Sequence, residues 1–356
     1  MKRIALVLLI AAIVPAAAAL AQSPQFCSAP YYIEQPFPTA GPEVSRWKLC
    51  WQVLNGPNLV ITGAWFRPTP ASAWIKVLYD GRMSQLFVPY HAGSPRFLDV
   101  NYGFPPVSLN TTDCPKPAAI LGGASELCKE VRDRGLIWKH KTASRRGQEL
   151  VLWSVLAAAN YDYVIEWTFR DDGVIGTRFG ATGHKWSDDT HVHGPIWRLD
   201  IDLNGACCDT ASLMTHKESG ATATDTMTDI NTATGIKWDP IAWNMIHVRD
   251  ANLVNGKQHA SEWALMPLRM GTPLHAEPFT QNVFWVTPYV WSQMSGDQLP
   301  SYVKGSPSTK NTDIVLWYYS ALHHVIRDED SDMTLVMFDG FHLMPFNVWS
   351  QTPFYP

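Results

Sequence analysis

The stretch 150–180, LVLWSVLAAANYDYVIEWTFRDDGVIGTRFG, decides the fold class. Residues 150–158 form an apolar run with strand character, and 161–169 follow as a second β-branched and aromatic run. Asp171-Asp172-Gly173 is a turn, after which 174–180 returns as a third strand. The same pattern continues outward. In 196–203, Ile196, Arg198, Asp200 and Asp202 alternate with Trp197, Leu199, Ile201 and Leu203, as expected of a strand with one face buried. Residues 314–319 form another strand, while 220–235 and 296–311 are rich in Thr, Ser, Gly and Pro and read as loops. Helical periodicity is scarce, and neither a repeat nor an interdomain linker is apparent. The expectation is an all-β chain forming one large antiparallel β-sandwich with long functional loops.

The N-terminus reads differently. Met1-Lys2-Arg3 is charged, 4–14 is apolar, and Ala19-Leu20-Ala21 is a small-x-small cleavage site, so 1–21 is expected to be a secretory signal peptide. A stretch 22–46 reads as an N-terminal extension. The expected location is secreted or periplasmic, with no membrane attachment after signal removal. A formal net charge of -4 argues against a nucleic-acid partner, and Arg145-Arg146 reads as a solvated turn. The six cysteines, Cys27, Cys50, Cys114, Cys128, Cys207 and Cys208, are even in number, which in an exported chain favours disulfides. Cys114 with Cys128 closes a short Pro- and Gly-containing loop and is the first expected pair. Bridging the adjacent Cys207 and Cys208 to each other would need a strained peptide. The sixteen Trp residues suit a core, or failing that an aromatic-lined channel.

Three strings carry chemistry: Asn160-Tyr161-Asp162-Tyr163, then His191-Val192-His193, then His323-His324-Val325-Ile326-Arg327. Residues two apart on a strand share a face, so His191 and His193 can bind one ion while Val192 faces away. Neutral imidazoles with open positions for water suit Cu(II) and also Zn(II). Composition leaves His323 and His324 equal as third ligand, although strand neighbours face opposite ways and only one should reach the ion. His184, His216, His247 and His259 lack a partner at ligand spacing and read as ordinary surface or core histidines.

Taken together these strings resemble the catalytic domain of the quinone-dependent copper amine oxidases. That family carries Asn-Tyr-Asp/Glu-Tyr, with the first Tyr converted to topaquinone (TPQ); here it is Tyr161. The family's His-x-His followed by Arg-Leu-Asp matches His191-Val192-His193 with Arg198-Leu199-Asp200. Its third ligand sits in a string matched by His324-Val325-Ile326-Arg327-Asp328-Glu329-Asp330, so the resemblance selects His324. Gly135-Leu136-Ile137-Trp138-Lys139-His140, Val88-Pro89-Tyr90 and Gly340-Phe341-His342-Leu343-Met344-Pro345-Phe346-Asn347 also look like family segments. Phe97-Leu98-Asp99 lies where the family has an aromatic followed by its catalytic Asp. The likeness runs from about Trp47 to the C-terminus and implies a copper amine oxidase-like catalytic domain over 47–356.

The resemblance implies an oxidoreductase that deaminates primary amines to aldehyde, ammonia and hydrogen peroxide, using O₂, copper(II) and topaquinone. Tyr161 would become the quinone, Asp99 would be the general base, Tyr90 would hydrogen-bond the quinone, Asn160 would leave room for the ring, and Phe97 would act as a gate. It also implies a peripheral calcium held by Asp200, Ile201 and Asp202 with Asp313 and Ile314, donors of the hard oxygen type that Ca²⁺ prefers. A solvated strand face is the plain reading of those acids, and core packing is that of Tyr90 and Phe97. A homodimer embraced by arms is implied as well. The chain departs from the family in its shorter inter-motif loops, in Ala157 where Thr is usual, and in Val100-Asn101 after Asp99, which leaves Asp80 and Asp113 as competitors for the base. A trimmed channel would admit bulky or polymeric amines. Two alternatives stand beside the oxidase. One is an exported copper-binding protein of the same fold without turnover. The other is a zinc hydrolase, against which no Glu sits beside the His pair.

Overall fold

A computed structural model describes residues 27–90, 93, 95–206, 208–219, 222–239, 241–268, 275–330 and 333–354. The expected signal peptide and Cys207 lie outside these residues. In chain order the strands are β1 (Tyr32–Phe37), β2 (Ser45–Leu54), β3 (Asn58–Arg67), β4 (Ile75–Pro89), β5 (Arg96–Leu98), β6 (Ala119–Leu121) and β7 (Leu127–His140). They continue as β8 (Ala143–Ala158), β9 (Tyr161–Arg170), β10 (Ile175–His184), β11 (His191–Ile201), β12 (Asp209–Ser219), β13 (Thr222–Asp229) and β14 (Thr234–Ile236). The last are β15 (Met245–Val254), β16 (Ala260–Pro267), β17 (Phe284–Pro288), β18 (Ile314–Tyr319), β19 (Leu322–His324) and β20 (Met333–Phe346).

These strands form two ten-stranded sheets, and every named pairing is antiparallel. One sheet runs β1-β2-β3-β4-β11-β18-β17-β14, with β5 on β4 and β19 on β11. The other runs β13-β12-β15-β16-β20-β10-β9-β8-β7-β6. The all-β sandwich read from 150–180 is therefore the observed architecture. The turn at 171–173 joins β9 to β10, and Gly173 takes φ +83°, a conformation that costs a glycine nothing. The core between the sheets is aromatic: Trp47, Trp51, Trp167, Trp197 and Trp263 are fully buried there. Trp167 of β9 meets Trp197 of β11 edge to face across the sandwich, centroids 5.7 Å apart, a favoured geometry for aromatic pairs.

Several local expectations change. The strand read at 196–203 is β11, and its face carrying Arg198 and Asp200 is buried as deeply as the other. The reason is position: β11 lies between β4 and β18, and Tyr289, Gln293 and Trp317 cover that face. The loop read at 220–235 contains β13 and the start of β14, and the loop at 296–311 contains a 3-10 turn (Gly296–Gln298) followed by one α-helical turn, α1 (Leu299–Tyr302). Arg145 and Arg146 lie within β8, paired across to β7, rather than in a turn. Part of the stretch read as an N-terminal extension forms β1, which pairs with β2 and buries Phe37. Cys114–Cys128 is a disulfide as expected, Cys27–Cys50 is another, and Cys208 is also disulfide-bonded.

Candidate active site and metal centre

Strand pairing assembles the site at one end of the sandwich. On β11, His191 and His193 share a face and both are buried. Residues 322–324 return as β19 against the start of β11, with His191 opposite His324 and Val192 opposite His323. That register puts His324 on the ligand face, 1% exposed, and leaves His323 in solvent. Among the described residues, His191, His193 and His324 are the His, Cys, Asp or Glu group close enough to share an ion, with ligand atoms within 4.8 Å of one another.

The hydrogen bonds around the histidines point the same way. His191 Nδ1 lies 2.8 Å from the Asp189 carbonyl and donates to it, so its Nε2 carries a lone pair. That Nε2 is 3.1 Å from His193 Nε2. The separation fits two nitrogens each about 2.0–2.1 Å from a shared ion. Both nitrogens of His324 are buried and without a hydrogen-bond partner. Orphaned buried nitrogens are costly unless something fills the gap, and a metal ion does. Burial, reinforced for His193 by its two neighbours, pushes all three imidazoles below their ordinary pKa, His191 to about 4. They are neutral at pH 7, as metal ligands must be.

The opposite sheet supplies the phenol of Tyr161. β8 turns into β9 through Ala159 and Asn160, with Ala158 and Tyr161 as register partners. Ala159 takes φ +56°, a left-handed conformation that is strained for alanine. The Asn160 carbonyl accepts the His184 N–H at 2.9 Å, tying this turn to the end of β10. Tyr161, the first residue of β9, points inward with its hydroxyl 3.3 Å from His191 Nε2. Its oxygen also receives the Tyr90 hydroxyl and the Trp186 backbone N–H, while burial raises its pKa. Tyr90 is buried and stacks on the His191 ring, centroids 4.2 Å apart.

Asp99 follows from β5, which hydrogen-bonds along the end of β4. It opens the turn Asp99–Tyr102 and is buried. Burial raises its pKa from 3.8 to about 6, with a hydrogen bond from Tyr163 opposing the rise. Of its competitors, Asp80 on β4 is held by Arg82 and by Arg198 of β11, and Asp113 is exposed in a loop. A cavity of about 280 Å³ leads to these groups, and its walls include Tyr90, Phe97, Asp99, Asn160, Tyr161 and Trp186. The site residues expected around Tyr161 are thus brought together.

The acids expected to hold calcium sit further along β11. Ile201 faces Ile314 across β11 and β18, which sets Asp202 beside Asp313. Asp200 and Asp202 are buried, so the solvated-face reading does not hold. Asp200 is bound by Arg198 Nη2 at 3.3 Å, and Lys76 reaches Asp202. Asp202 Oδ1 and Asp313 Oδ1 are buried without partners. Hard oxygens of this kind are the donor type that Ca²⁺ takes, and among the described residues these acids do not form a group of three close enough to share one ion. Asp209 raises its pKa to about 9 through burial first and then through Asp250 and Asp202. The sequence reading does not single out Asp209 or Trp186, and it quotes Tyr163 within its string without giving it a role. Tyr163 carried a signal, since it lies two residues from Tyr161 on the same strand face.

Comparison with known proteins agrees with this geometry. The family model described as copper amine oxidase, enzyme domain, matches residues 125–193 and 184–355. The chain is 27% identical over 385 residues to the copper-containing amine oxidase alpha 2, peroxisomal, of Arabidopsis thaliana, covering 83% of this chain and 56% of that one. It is 23% identical to a primary amine oxidase of Lens culinaris, covering 78% of this chain and 54% of the other. It thus spans about half the length of the curated relatives it matches. Its fold superposes on a copper-containing benzylamine oxidase from Hansenula polymorpha with TM-score 0.74 at 18% identity, covering 87% of this chain and 60% of the other. An Aspergillus nidulans amine oxidase gives TM-score 0.73 at 18% identity, over 87% and 52%. On the family match and the histidine cluster together, the chain belongs to the copper amine oxidase family through its enzyme domain.

Proposed function

We propose that the protein is a primary-amine oxidase that converts a primary amine, O₂ and water to an aldehyde, ammonia and hydrogen peroxide. The observation that carries this reading is that Tyr161 and Asp99 line one cavity, with the Tyr161 hydroxyl reaching from its wall to the cluster of three neutral imidazoles. Copper(II) would be held by His191, His193 and His324. With Tyr161 as precursor of topaquinone, these two groups would supply the electron acceptor for the amine and the path to O₂. The chain's own residues do the rest. Tyr90 and the Trp186 N–H fix the Tyr161 oxygen. Asp99, ionised in part at neutral pH, takes the proton from the carbon next to the amine nitrogen. Such positioned bases are typically worth ~10²–10⁴-fold in rate. Phe97 and Trp186 meet edge to face at 6.0 Å over the cavity and restrict water.

Calcium bound by Asp202 and Asp313, with Asp200 and the 201 and 314 main chain nearby, is part of the same reading, as are a homodimer and a secreted or periplasmic location. The test is peptide mass spectrometry on metal-free protein incubated aerobically with Cu(II). A copper- and oxygen-dependent mass gain on the Tyr161 peptide, trapped by phenylhydrazine, is the expected result. Copper bound with Tyr161 unchanged would refute the oxidase and leave a copper-binding protein of the same fold.

A further inference from the structure

We propose that the Tyr163 hydroxyl is a positioning group that ties the base to a metal ligand, donating its proton to Asp99 and accepting one from His193. Tyr163 Oη lies 3.1 Å from Asp99 Oδ2 and 3.2 Å from His193 Nδ1. The side chain is 1% exposed, so water does not complete these bonds. A phenol has one proton to give, and an ionised carboxylate can only accept. The proton therefore goes to Asp99, and the oxygen's remaining capacity faces His193 Nδ1. His193 must then carry its hydrogen on Nδ1, which leaves Nε2 free to face His191 Nε2.

The two ligands on β11 are thus oriented by different acceptors. His191 uses the Asp189 carbonyl, a fixed backbone group. His193 uses a phenol whose proton is held by the base. The same hydrogen bond opposes the rise that burial imposes on Asp99. Among the described residues, besides Tyr163 from β9, the titratable group near Asp99 is Tyr90 from the end of β4. The inference rests on the amine oxidase reading only for the role of Asp99; the tautomer of His193 stands apart from it.

Tyr163→Phe removes one oxygen and keeps the ring packed against Phe179 at 5.2 Å and Tyr161 at 6.1 Å. Outer partners of metal-bound histidines are typically worth ~10–100-fold in metal affinity. The variant is expected to bind Cu(II) about 10- to 100-fold more weakly than wild type, measured by chelator competition on metal-free protein. The acid limb of kcat/KM should also move to higher pH, because Asp99 loses a donor that favours its charged form. Phe179→Leu, which touches the same ring without the hydroxyl, should move neither. Unchanged copper affinity in Tyr163→Phe would overturn the proposal. If the variant does not fold, ¹⁵N spectra of imidazoles in the metal-free wild type decide: protonation of His193 at Nδ1 is expected, and protonation at Nε2 overturns the assignment. Wild type that binds copper without oxidising any amine would sink the oxidase reading, while the affinity and tautomer measurements would still judge Tyr163.

Discussion

Replacing Asp99 by Asn should slow the enzyme and stabilise the fold, and the pKa of Asp99 fixes the size of both effects. Burial raises that pKa from 3.8 to about 6. A carboxylate titrating near 6 is about nine-tenths ionised at pH 7 and about one-tenth at pH 5. Wild-type kcat/KM, expressed against the neutral amine, should therefore fall about tenfold from pH 7 to pH 5. An ordinary carboxylate would leave it nearly flat there. Asp99→Asn should abolish this limb and lower the rate ~10²–10⁴-fold. The stability effect has the opposite sign. Because the folded-state pKa is raised, the fold is most favoured with Asp99 protonated, below pH 4, and loses stability as pH rises through 6. At about 1.36 kcal/mol per pH unit, the displacement costs the native state about 3 kcal/mol at pH 8. At pH 4 linkage leaves a cost of only about 0.5 kcal/mol. Asn can still accept the Tyr163 hydroxyl and bears no charge. Urea unfolding of copper-free protein should thus find the variant more stable by about 3 kcal/mol at pH 8 and nearly equal to wild type at pH 4. Equal stability at both pH values, or a wild-type rate that stays flat from pH 7 to pH 5, would refute the assignment of Asp99 as a buried base.

Three further outcomes are expected. Arg198→Ala leaves Asp200 buried without its cation and Asp80 with Arg82 alone, and should cost about 3–5 kcal/mol in urea unfolding. Trp197→Ala opens the core where Trp167 and Phe341 meet it, at a cost of about 3–5 kcal/mol. Calcium added to metal-stripped protein should raise the melting temperature, by about 2.7 kcal/mol of stability at one hundred times its Kd, and Asp313→Asn should remove most of the gain.

What was legible in the sequence follows from the range of the physics involved. Alternation of period two is local, so the strands at 150–180 and the common face of His191 and His193 could be read directly. The choice between His323 and His324 could not be read from residue types. It depends on how a three-residue strand registers against β11, more than a hundred residues earlier in the chain. The burial of Arg198 and Asp200 was missed for a related reason: the sequence of a strand does not say what segment will cover its polar face, and here 289–293 does. Tyr163 was open to the same period-two argument as the histidines, because it shares a strand face with Tyr161. Trp186 lies in the loop between β10 and β11, and no periodicity announces its place in the cavity wall.

Register also explains why so sparse a set of residues can make a site. Each group is placed by a different pairing: His324 by β19 on β11, Tyr161 by Ala158 across the β8–β9 turn and Gly183 across β10, and Asp99 by β5 on β4. Because side chains alternate, a slip of one residue in β19 would bring His323 to the ion and expel His324. Slippage is resisted where each strand also carries core residues. Leu322 is fully buried two residues before His324, and Tyr163 is buried two residues after Tyr161. Moving either functional side chain off its face would move a core side chain off with it. The hydrophobic pattern that builds the sandwich therefore also enforces the geometry of the site, and a core variant such as Leu322→Asp should lose copper binding even though it alters no ligand.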